Sequence, residues 1–263
     1  MSGREVTLIA WNILHGGGPQ RTPWIGLALI DHAPDIVMLC EFRPGRGSQL
    51  RAQLADAGLV HQRVSDVEPT RNGILIASRF DLREAGNDAR EAESACAGRL
   101  LTAIAAGVLV VGVHVPDDNE LGKKAGFFHQ LTALARKNRD LPCVILGDFN
   151  TQRRGLDADG RAFRLESKLG VLASLGYADA WRKKHPGERE DSWVSAHASG
   201  RLDGAYLSAP LAHALIDARY EHAPRGAGLS DHSMLVLKLA LEPREEGAKS
   251  PRGLFGGAEG RAG

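Results

Sequence analysis

Short runs of β-branched and aliphatic residues recur along the chain, and they constrain its fold more than any other feature. Each run has the length of a strand and is bounded by Gly, Asn, Asp or Pro, so we predict a strand at each one. The runs cover residues 6–13, 36–40, 74–77, 100–105, 108–115, 144–146, 205–207 and 234–239. Helical spacing of apolar residues is found in 24–32, 49–57, 123–138 and 162–175. The chain is therefore predicted to be an α/β (α+β) protein.

Two of these runs, 100–105 and 108–115, are separated only by Ala106 and Gly107, which predicts a hairpin. A hairpin among strands and helices favours mixed sheets over purely parallel ones. Hydrophobic residues make up 43% of the chain, enough for a substantial core, and we predict a single domain over residues 1–241. Residues 242–263 are rich in Gly, Arg, Glu and Pro without periodicity, and we predict a flexible C-terminal tail there.

Charge and cysteine content narrow the class of protein. The 33 Lys and Arg residues against 32 Asp and Glu give a net charge of +1, which argues against a strongly basic coat but excludes neither nucleic acids nor small anions as partners. Three cysteines do not form a disulfide framework, and Cys40 and Cys143 lie in apolar runs, which fits a reducing compartment. No apolar stretch approaches the roughly 18 residues of a membrane span, and the N-terminus has no signal-peptide pattern. We expect a cytoplasmic monomer.

Polar residues recur where the apolar runs end, and strand ends are where functional groups collect in α/β folds. Asn12 follows the first run. Glu41 follows a run that is apolar throughout, where a carboxylate is costly to bury without a cation or hydrogen bonds. Glu41 is thus a candidate metal ligand, although this residue alone favours a surface glutamate that begins a loop.

The segment Gly147-Asp148-Phe149-Asn150 is a sharper signal. In extended chain residues i and i+2 point the same way, so Asp148 and Asn150 face one site while Phe149 turns into the core. A carboxylate beside an amide is suited to orienting and deprotonating a water nucleophile. The alternative is an Asx-turn that closes the strand.

Three more residues are candidates for the active site. His232 lies in Ser230-Asp231-His232, but Asp231 is a poor orienter for it because adjacent side chains diverge. A histidine held in one tautomer needs a carboxylate from elsewhere, and Asp203 is the candidate. His114, at the end of a strand before Pro116, suits a phosphate-contacting imidazole or equally a histidine bound to backbone groups.

The order of these elements is typical of one family. The sequence runs AWN, CEF, NG-x-L-x-x-SR, VHVP, GDFN, RLDGAYLS and SDH, and in this order it resembles the endonuclease/exonuclease/phosphatase superfamily from residue 6 to residue 239. The resemblance implies a four-layer sandwich of two packed mixed β-sheets flanked by helices. It implies hydrolysis of phosphoester bonds with a divalent cation, Mg²⁺ or alternatively Mn²⁺.

The resemblance also implies roles for individual residues. Glu41 resembles the principal metal ligand, with Asn12 beside it and Asp231 as a further acid near the metal. Asp148 resembles the residue that activates the attacking water, and Asn150 its partner. The remaining matches are to the catalytic histidine, its orienting carboxylate and a phosphate-contacting imidazole: His232, Asp203 and His114.

Substrate choice is left between two classes. Leu14 stands where abasic-site endonucleases often carry a polar group, and His114 stands where they have a tyrosine, so the match to that specificity is incomplete. Trp193 could stack on a base, or fill the core instead. Arg153 could contact a neighbouring phosphate, or be a solvated loop arginine. The leading prediction is a nuclease acting on DNA or RNA, and the alternative is a phosphoesterase acting on small or lipid phosphates, resembling inositol phosphatases or sphingomyelinases.

Overall fold

The computed structural model describes residues 3–157 and 163–242. Its strands are β1 (Arg4–Asn12), β2 (Ile36–Phe42), β3 (His61–Val64), β4 (Gly73–Ser78), β5 (Leu100–Ala105), β6 (Val108–His114), β7 (Cys143–Asp148), β8 (Ala178–Asp179), β9 (Trp193–Val194), β10 (Ser199–Gly200), β11 (Asp203–Leu207), β12 (Leu215–Glu221) and β13 (Met234–Leu241). Its helices are α1 (Gly18–Ile30), α2 (Ser48–Asp56), α3 (Asn87–Ala95), α4 (Leu121–Asn138), α5 (Ser167–Ser174), α6 (Ala180–Lys184), α7 (Ala209–Ala212) and α8 (Ala223–Gly226), with single 3₁₀ turns at Pro44–Arg46 and Asp118–Glu120.

Two large sheets are both mixed. The first has the strand order β12-β13-β1-β2-β4-β3, and within it β1 and β2 run parallel. The second has the order β5-β6-β7-β11-β8, and within it β6 and β7 run parallel. The predicted hairpin joins β5 to β6, and both residues of its turn have positive φ.

The central strands, such as β2 and β7, are buried on both faces because helices cover the outer side of each sheet. In β2, Met38 faces the core between the sheets, whereas Leu39 packs on the side of α1 and α2. In β7, Leu146 faces the same inner core, whereas Ile145 packs on the side of α3, α4 and α5. The layers are therefore helix, sheet, sheet, helix, and the predicted four-layer sandwich of two mixed sheets is confirmed.

A polar contact joins the sheets at one of their edges. Arg63 of β3, the edge strand of the first sheet, donates to the carbonyl of Thr102 in β5, the edge strand of the second. The same guanidinium forms an ion pair with Glu93 of α3, and Glu93 accepts from the backbone and the hydroxyl of Thr102. The two edges are thus fixed to each other as well as packed.

All eight predicted strands are present, whereas the helices differ more. The helix predicted at 24–32 begins earlier, at Gly18, because the chain enters it through a glycine-rich turn. The helix predicted at 162–175 is shorter, Ser167–Ser174, and residue 162 lies outside the described residues. Strands β3 and β12 are sheet edges with alternating polar residues, so they lack the continuous apolar run used for the prediction.

Two further predictions concern the bounds of the domain and tail, and the lack of a membrane span. The tail predicted over 242–263 lies outside the described residues from 243 onward, and the single domain over 1–241 stays a prediction. In the part of the chain that is described, no helix combines the length and the apolar character needed to cross a bilayer.

Candidate active site

Strand alternation brings four of the predicted site residues to one end of the inner core. Asn12, His114, Asp148 and Asp203 have the same parity as the inward-facing residues of β1, β6, β7 and β11. Asp148 lies beside His114 in the parallel ladder and opposite Asp203 in the antiparallel one. The Asn12 amide donates to Asp148 Oδ2 at 3.0 Å, which links the two sheets at this point.

Asp148 ends its strand facing the cleft, but the chain after it forms the Asx-turn that was the alternative to an extended segment. Phe149 is buried in the core, and the backbone N–H of Asn150 donates to Asp148 Oδ1 at 2.8 Å. The Asn150 side chain donates to the carbonyl of Val115 at 2.9 Å, and its backbone is left-handed, with φ 44°. Gly147 is required by space, because a Cβ there would lie 2.1 Å from the carbonyl oxygen of Val113.

Glu41 reaches the site through a β-bulge. By alternation Glu41 would face α1 and α2, as Leu39 does, but the register between β2 and β4 shifts between Cys40 and Phe42. Glu41 has φ 59°, and this re-aims its carboxylate toward Asn12, whose amide donates to Oε1 at 3.3 Å. Glu41 Oε1 also lies 3.9 Å from His114 Nε2.

Two residues at Glu41 were missed by the sequence analysis. His15, which looks like an incidental surface histidine in the sequence, donates its backbone N–H to Glu41 Oε2 at 2.7 Å. Its Nδ1 lies 2.7 Å from the same oxygen. Asn72 Nδ2 also donates to Glu41 Oε2, at 2.8 Å. Asn72 is the asparagine of the NG pattern, and its place directly before the strand Gly73–Ser78 was the available signal.

The Asp203–His232 pairing is present in the structure. His232 Nδ1 lies 2.8 Å from Asp203 Oδ2, and both side chains are buried. Ser192 donates to the same carboxylate oxygen at 2.7 Å. The loop that carries His232 is tied to β1, because Trp11 Nε1 donates to the His232 carbonyl and Ser230 donates to the Asn12 carbonyl.

Burial and neighbouring charges shift the pKa values in opposite directions. Burial raises the pKa of Asp148 above its usual range, and the imidazole of His232 opposes this shift without cancelling it. Burial would lower the pKa of His232, but the carboxylates of Asp203 and Asp148 outweigh burial and raise it to about 10. The site therefore holds a protonated imidazole 3.9 Å from Asp148 at neutral pH.

The other two titrating groups respond differently. Burial would raise the pKa of Glu41, but the imidazole of His114 and the N–H of His15 outweigh it and lower the pKa. Burial lowers the pKa of His114 even though carboxylates lie near it. Glu41 is thus an anion at neutral pH, and His114 is a neutral donor or acceptor.

Asp231 and Trp193 contact each other rather than standing alone. Trp193 Nε1 donates to Asp231 Oδ2 at 3.1 Å, and the half-buried indole lines the cleft. The other oxygen of Asp231, Oδ1, is buried and has no hydrogen-bond partner within the described residues. The metal role of Asp231 and the stacking role of Trp193 stay predictions.

Arg153 is placed in an ion-pair network. Its guanidinium binds Asp157 at 3.2 Å and Asp179 at 3.0 Å, and Arg201 binds the same two carboxylates at 2.7 Å. This network joins the loop after β7 to the start of β11. A substrate contact by Arg153 stays a prediction, and the contacts present are structural.

One cleft of about 1250 Å³ unites these groups. Its lining includes Asn12, Glu41, His114, Asp148, Asn150, Trp193, Asp231 and His232, together with His15, Asn72 and Arg99. Asp148, Asp203 and His232 each offer one ligand atom, and these atoms lie within 4.8 Å of one another. Carboxylate and amide oxygens predominate around them, which is the donor set that hard divalent cations prefer.

A family model matches residues 9–232, and its description is the Endonuclease/Exonuclease/phosphatase family. The chain belongs to this family. The matched region runs from β1 to His232 and so includes the whole of the cleft wall described above. Members of the family hydrolyse phosphoester bonds, and the four-layer architecture agrees with the match.

Solved structures share this fold, and one of them contains bound DNA. An AP endonuclease from Archaeoglobus fulgidus has a TM-score of 0.75 and 23% identity, covering 88% of this chain and 98% of that one. A 3′ phosphatase from Neisseria, bound to a product DNA hairpin, has a TM-score of 0.77 and 23% identity, covering 89% and 99%. A 3′-5′ exonuclease from Neisseria meningitidis has a TM-score of 0.75 and 23% identity, with the same coverage. At this identity the likeness establishes the fold. Among curated proteins none is significantly similar in sequence.

Proposed function

We propose that this protein is a Mg²⁺-dependent phosphodiesterase that cleaves the backbone of DNA or RNA. The observation that carries the proposal is the convergence of Asn12, Glu41, Asp148 and His232 on one cleft from separate strands and loops of both sheets. The fold shared with DNA-acting enzymes supports a nucleic acid as the substrate.

The residues at the cleft fit a divalent cation. Glu41 is an anion facing the cleft, and Asp231 has a buried oxygen without a partner in the described part of the chain. Asn12 lies beside Glu41 and turns its NH2 group to the carboxylates, so its oxygen, which accepts from the Leu14 N–H, would have to turn to join the ligands. These groups would hold Mg²⁺, the proposed cation, and the same oxygen donors are compatible with Mn²⁺. When bound, the cation supplies positive charge that stabilises charge developing on the phosphate oxygens.

The side chains of the chain account for the remaining steps. Asp148 accepts a proton from the attacking water, since burial raises its pKa and makes it a better base than an exposed aspartate. Asn150 holds the same water through its amide. His232, protonated at neutral pH, donates Nε2–H to a phosphate oxygen, and Asp203 keeps Nδ1 oriented. His114 offers Nε2 to a second phosphate oxygen between Glu41 and Asp148.

A substrate panel tests the proposal. Supercoiled plasmid, an abasic duplex and single-stranded RNA are incubated with the full chain and Mg²⁺, and in parallel with a chelator. We expect cleavage of at least one nucleic acid in Mg²⁺ and none with the chelator. Asp148→Asn, which preserves shape but removes the base, should abolish cleavage, whereas His129→Ala, on the exposed side of α4, should not. Cleavage that persists in the chelator would refute the proposal.

A second candidate is the same chemistry on a small or lipid phosphoester. It is favoured by the cleft lining, in which carboxylates such as Asp117, Asp118, Glu190 and Asp191 outnumber arginines. An acidic wall disfavours a long polyanion. Adding an inositol phosphate and sphingomyelin to the panel separates the candidates, because activity confined to those compounds would replace the nuclease with this alternative.

A further inference from the structure

A left-handed turn follows β1 immediately after Asn12. Leu14 and His15 have φ of 50° and 55°, and residues 16–18, all glycine, continue with φ of 75°, 73° and 69°. The glycines adopt this conformation freely, but a branched leucine and a histidine do so only at a cost in free energy. Non-glycine residues held in this region cluster at functional sites, so the purpose of the turn lies in what it positions.

The turn positions His15 against Glu41. Both the backbone N–H and the Nδ1 of His15 lie 2.7 Å from Glu41 Oε2. The same Nδ1 lies 3.2 Å from Asn72 Nδ2, so the imidazole packs against both the carboxylate and the amide. Asn72 Nδ2 is a second donor to Oε2 at 2.8 Å, and its own amide oxygen accepts from Arg43 Nε at 2.7 Å, which fixes the direction of the amide.

The two oxygens of Glu41 are therefore unequal. Oε2 accepts from the His15 backbone N–H and from Asn72 Nδ2, and the His15 imidazole lies against it on the side of the turn. Oε1 accepts from Asn12 at 3.3 Å and faces His114 Nε2 at 3.9 Å, on the side of Asp148. Glu41 can thus present Oε1, but not both oxygens, to a cation in the cleft.

We propose that His15 and Asn72 determine which divalent cation this site accepts, by restricting Glu41 to coordination through one oxygen. The inference rests on the proposed function, because it concerns the cation of that reaction. Mg²⁺ binds few protein oxygens in an octahedral shell, whereas Ca²⁺ takes six to eight and often both oxygens of a carboxylate. A glutamate limited to Oε1 favours Mg²⁺ and selects against Ca²⁺.

Cation binding to the full chain measures this without recourse to activity. Bound Mn²⁺ is followed by electron paramagnetic resonance, and Mg²⁺ and Ca²⁺ are titrated as competitors. His15→Gly removes the imidazole at a φ that glycine adopts freely, and Asn72→Ala removes the side-chain amide that donates to Oε2. His15→Asn tolerates a left-handed backbone and keeps an amide nitrogen near the place of Nδ1. His129→Ala is the control for loss of an exposed histidine.

We expect His15→Gly and Asn72→Ala to shift the ratio of competition constants about tenfold toward Ca²⁺, as is usual when a partner of a metal ligand is removed. His15→Asn should restore the wild-type ratio, and His129→Ala should leave it unchanged. A ratio unchanged in both His15→Gly and Asn72→Ala, or an equal weakening of both cations, would overturn the inference while leaving the proposed function intact. Failure of the wild-type chain to bind any of the three cations would overturn both.

Discussion

Mutation of the Asp203–His232 pair provides a quantitative test of the site. The two side chains are buried, and Nδ1 of His232 lies 2.8 Å from Oδ2 of Asp203. Asp203→Asn keeps the volume but removes the charge and presents an amide to the imidazole. His232→Ala removes the donor to the phosphate altogether. We expect both to lower kcat, with little change in KM for Asp203→Asn because its carboxylate is buried behind the imidazole.

The magnitude follows from the one hydrogen bond that joins the residues. A bond to a charged group contributes about 1.5–3 kcal/mol, and about 1.4 kcal/mol corresponds to a tenfold change in rate. Asp203→Asn should therefore lower kcat by about 10- to 100-fold. Loss of His232, the proposed donor to the reacting phosphate, should cost about 100-fold or more. Independent effects would multiply to a loss of roughly 10³–10⁴ in the double mutant, whereas residues acting as a unit give a loss near that of His232→Ala.

The assay is single-turnover cleavage of the best nucleic acid substrate in Mg²⁺, with wild type, both single mutants and the double mutant measured in parallel. Thermal unfolding of each variant controls for loss of structure. A double mutant whose loss equals the product of the single losses would refute the statement that Asp203 acts through His232.

Three further outcomes follow from the structure. Lys124→Met should reduce the free energy of unfolding by about 1–3 kcal/mol in urea titrations, because it leaves the Asn150 carbonyl, now 2.7 Å from the buried ammonium, without its donor. Gly147→Ala should prevent folding or abolish activity, as judged by circular dichroism, since its Cβ would lie 2.1 Å from the Val113 carbonyl oxygen. Burial would raise the pKa of Asp157, but neighbouring arginines outweigh burial and lower the pKa below the ordinary value of 3.8. The ionised Asp157 therefore stabilises the fold fully above pH 3.8, and this stabilisation is lost as the pH falls through the lowered pKa of the folded protein. Asp157→Asn should therefore unfold at a lower temperature than wild type at pH 7, with a gap that narrows on acidification below about 4.

Much of the site could be predicted because it obeys strand alternation. Asn150 is outside that rule, because it lies beyond the strand with φ 44° in an Asx-turn. Asp148 faces the cleft as alternation predicts, and Asp203 had to come from another segment because Asp231 is adjacent to His232. Those inferences depend only on the period of a strand and on side-chain direction, both of which are local. The structure brings these residues together, and their catalytic roles remain to be measured.

The rest depended on backbone features that sequence patterns do not encode. Alternation alone would turn Glu41 away from the cleft, and it is the bulge between β2 and β4 that turns it back. His15 approaches Glu41 only because five consecutive residues are left-handed. In the sequence Arg153 looked like a solvated loop arginine. Of the two acids that bind it, Asp157 lies in an irregular loop and Asp179 is far away in sequence, so neither gives a periodic signal.

The contact between Arg63 and Thr102 has a mechanical consequence. The contact joins the edge strands of the two sheets, and an apolar core fills the space between the sheets. We therefore expect little hinge motion between the two walls of the cleft. For the nucleic acid substrate proposed above, we expect the incoming strand, rather than the protein, to bend or unstack so that a phosphate reaches the cleft. Substrates that deform easily would on this basis react faster than stiff ones of identical chemistry.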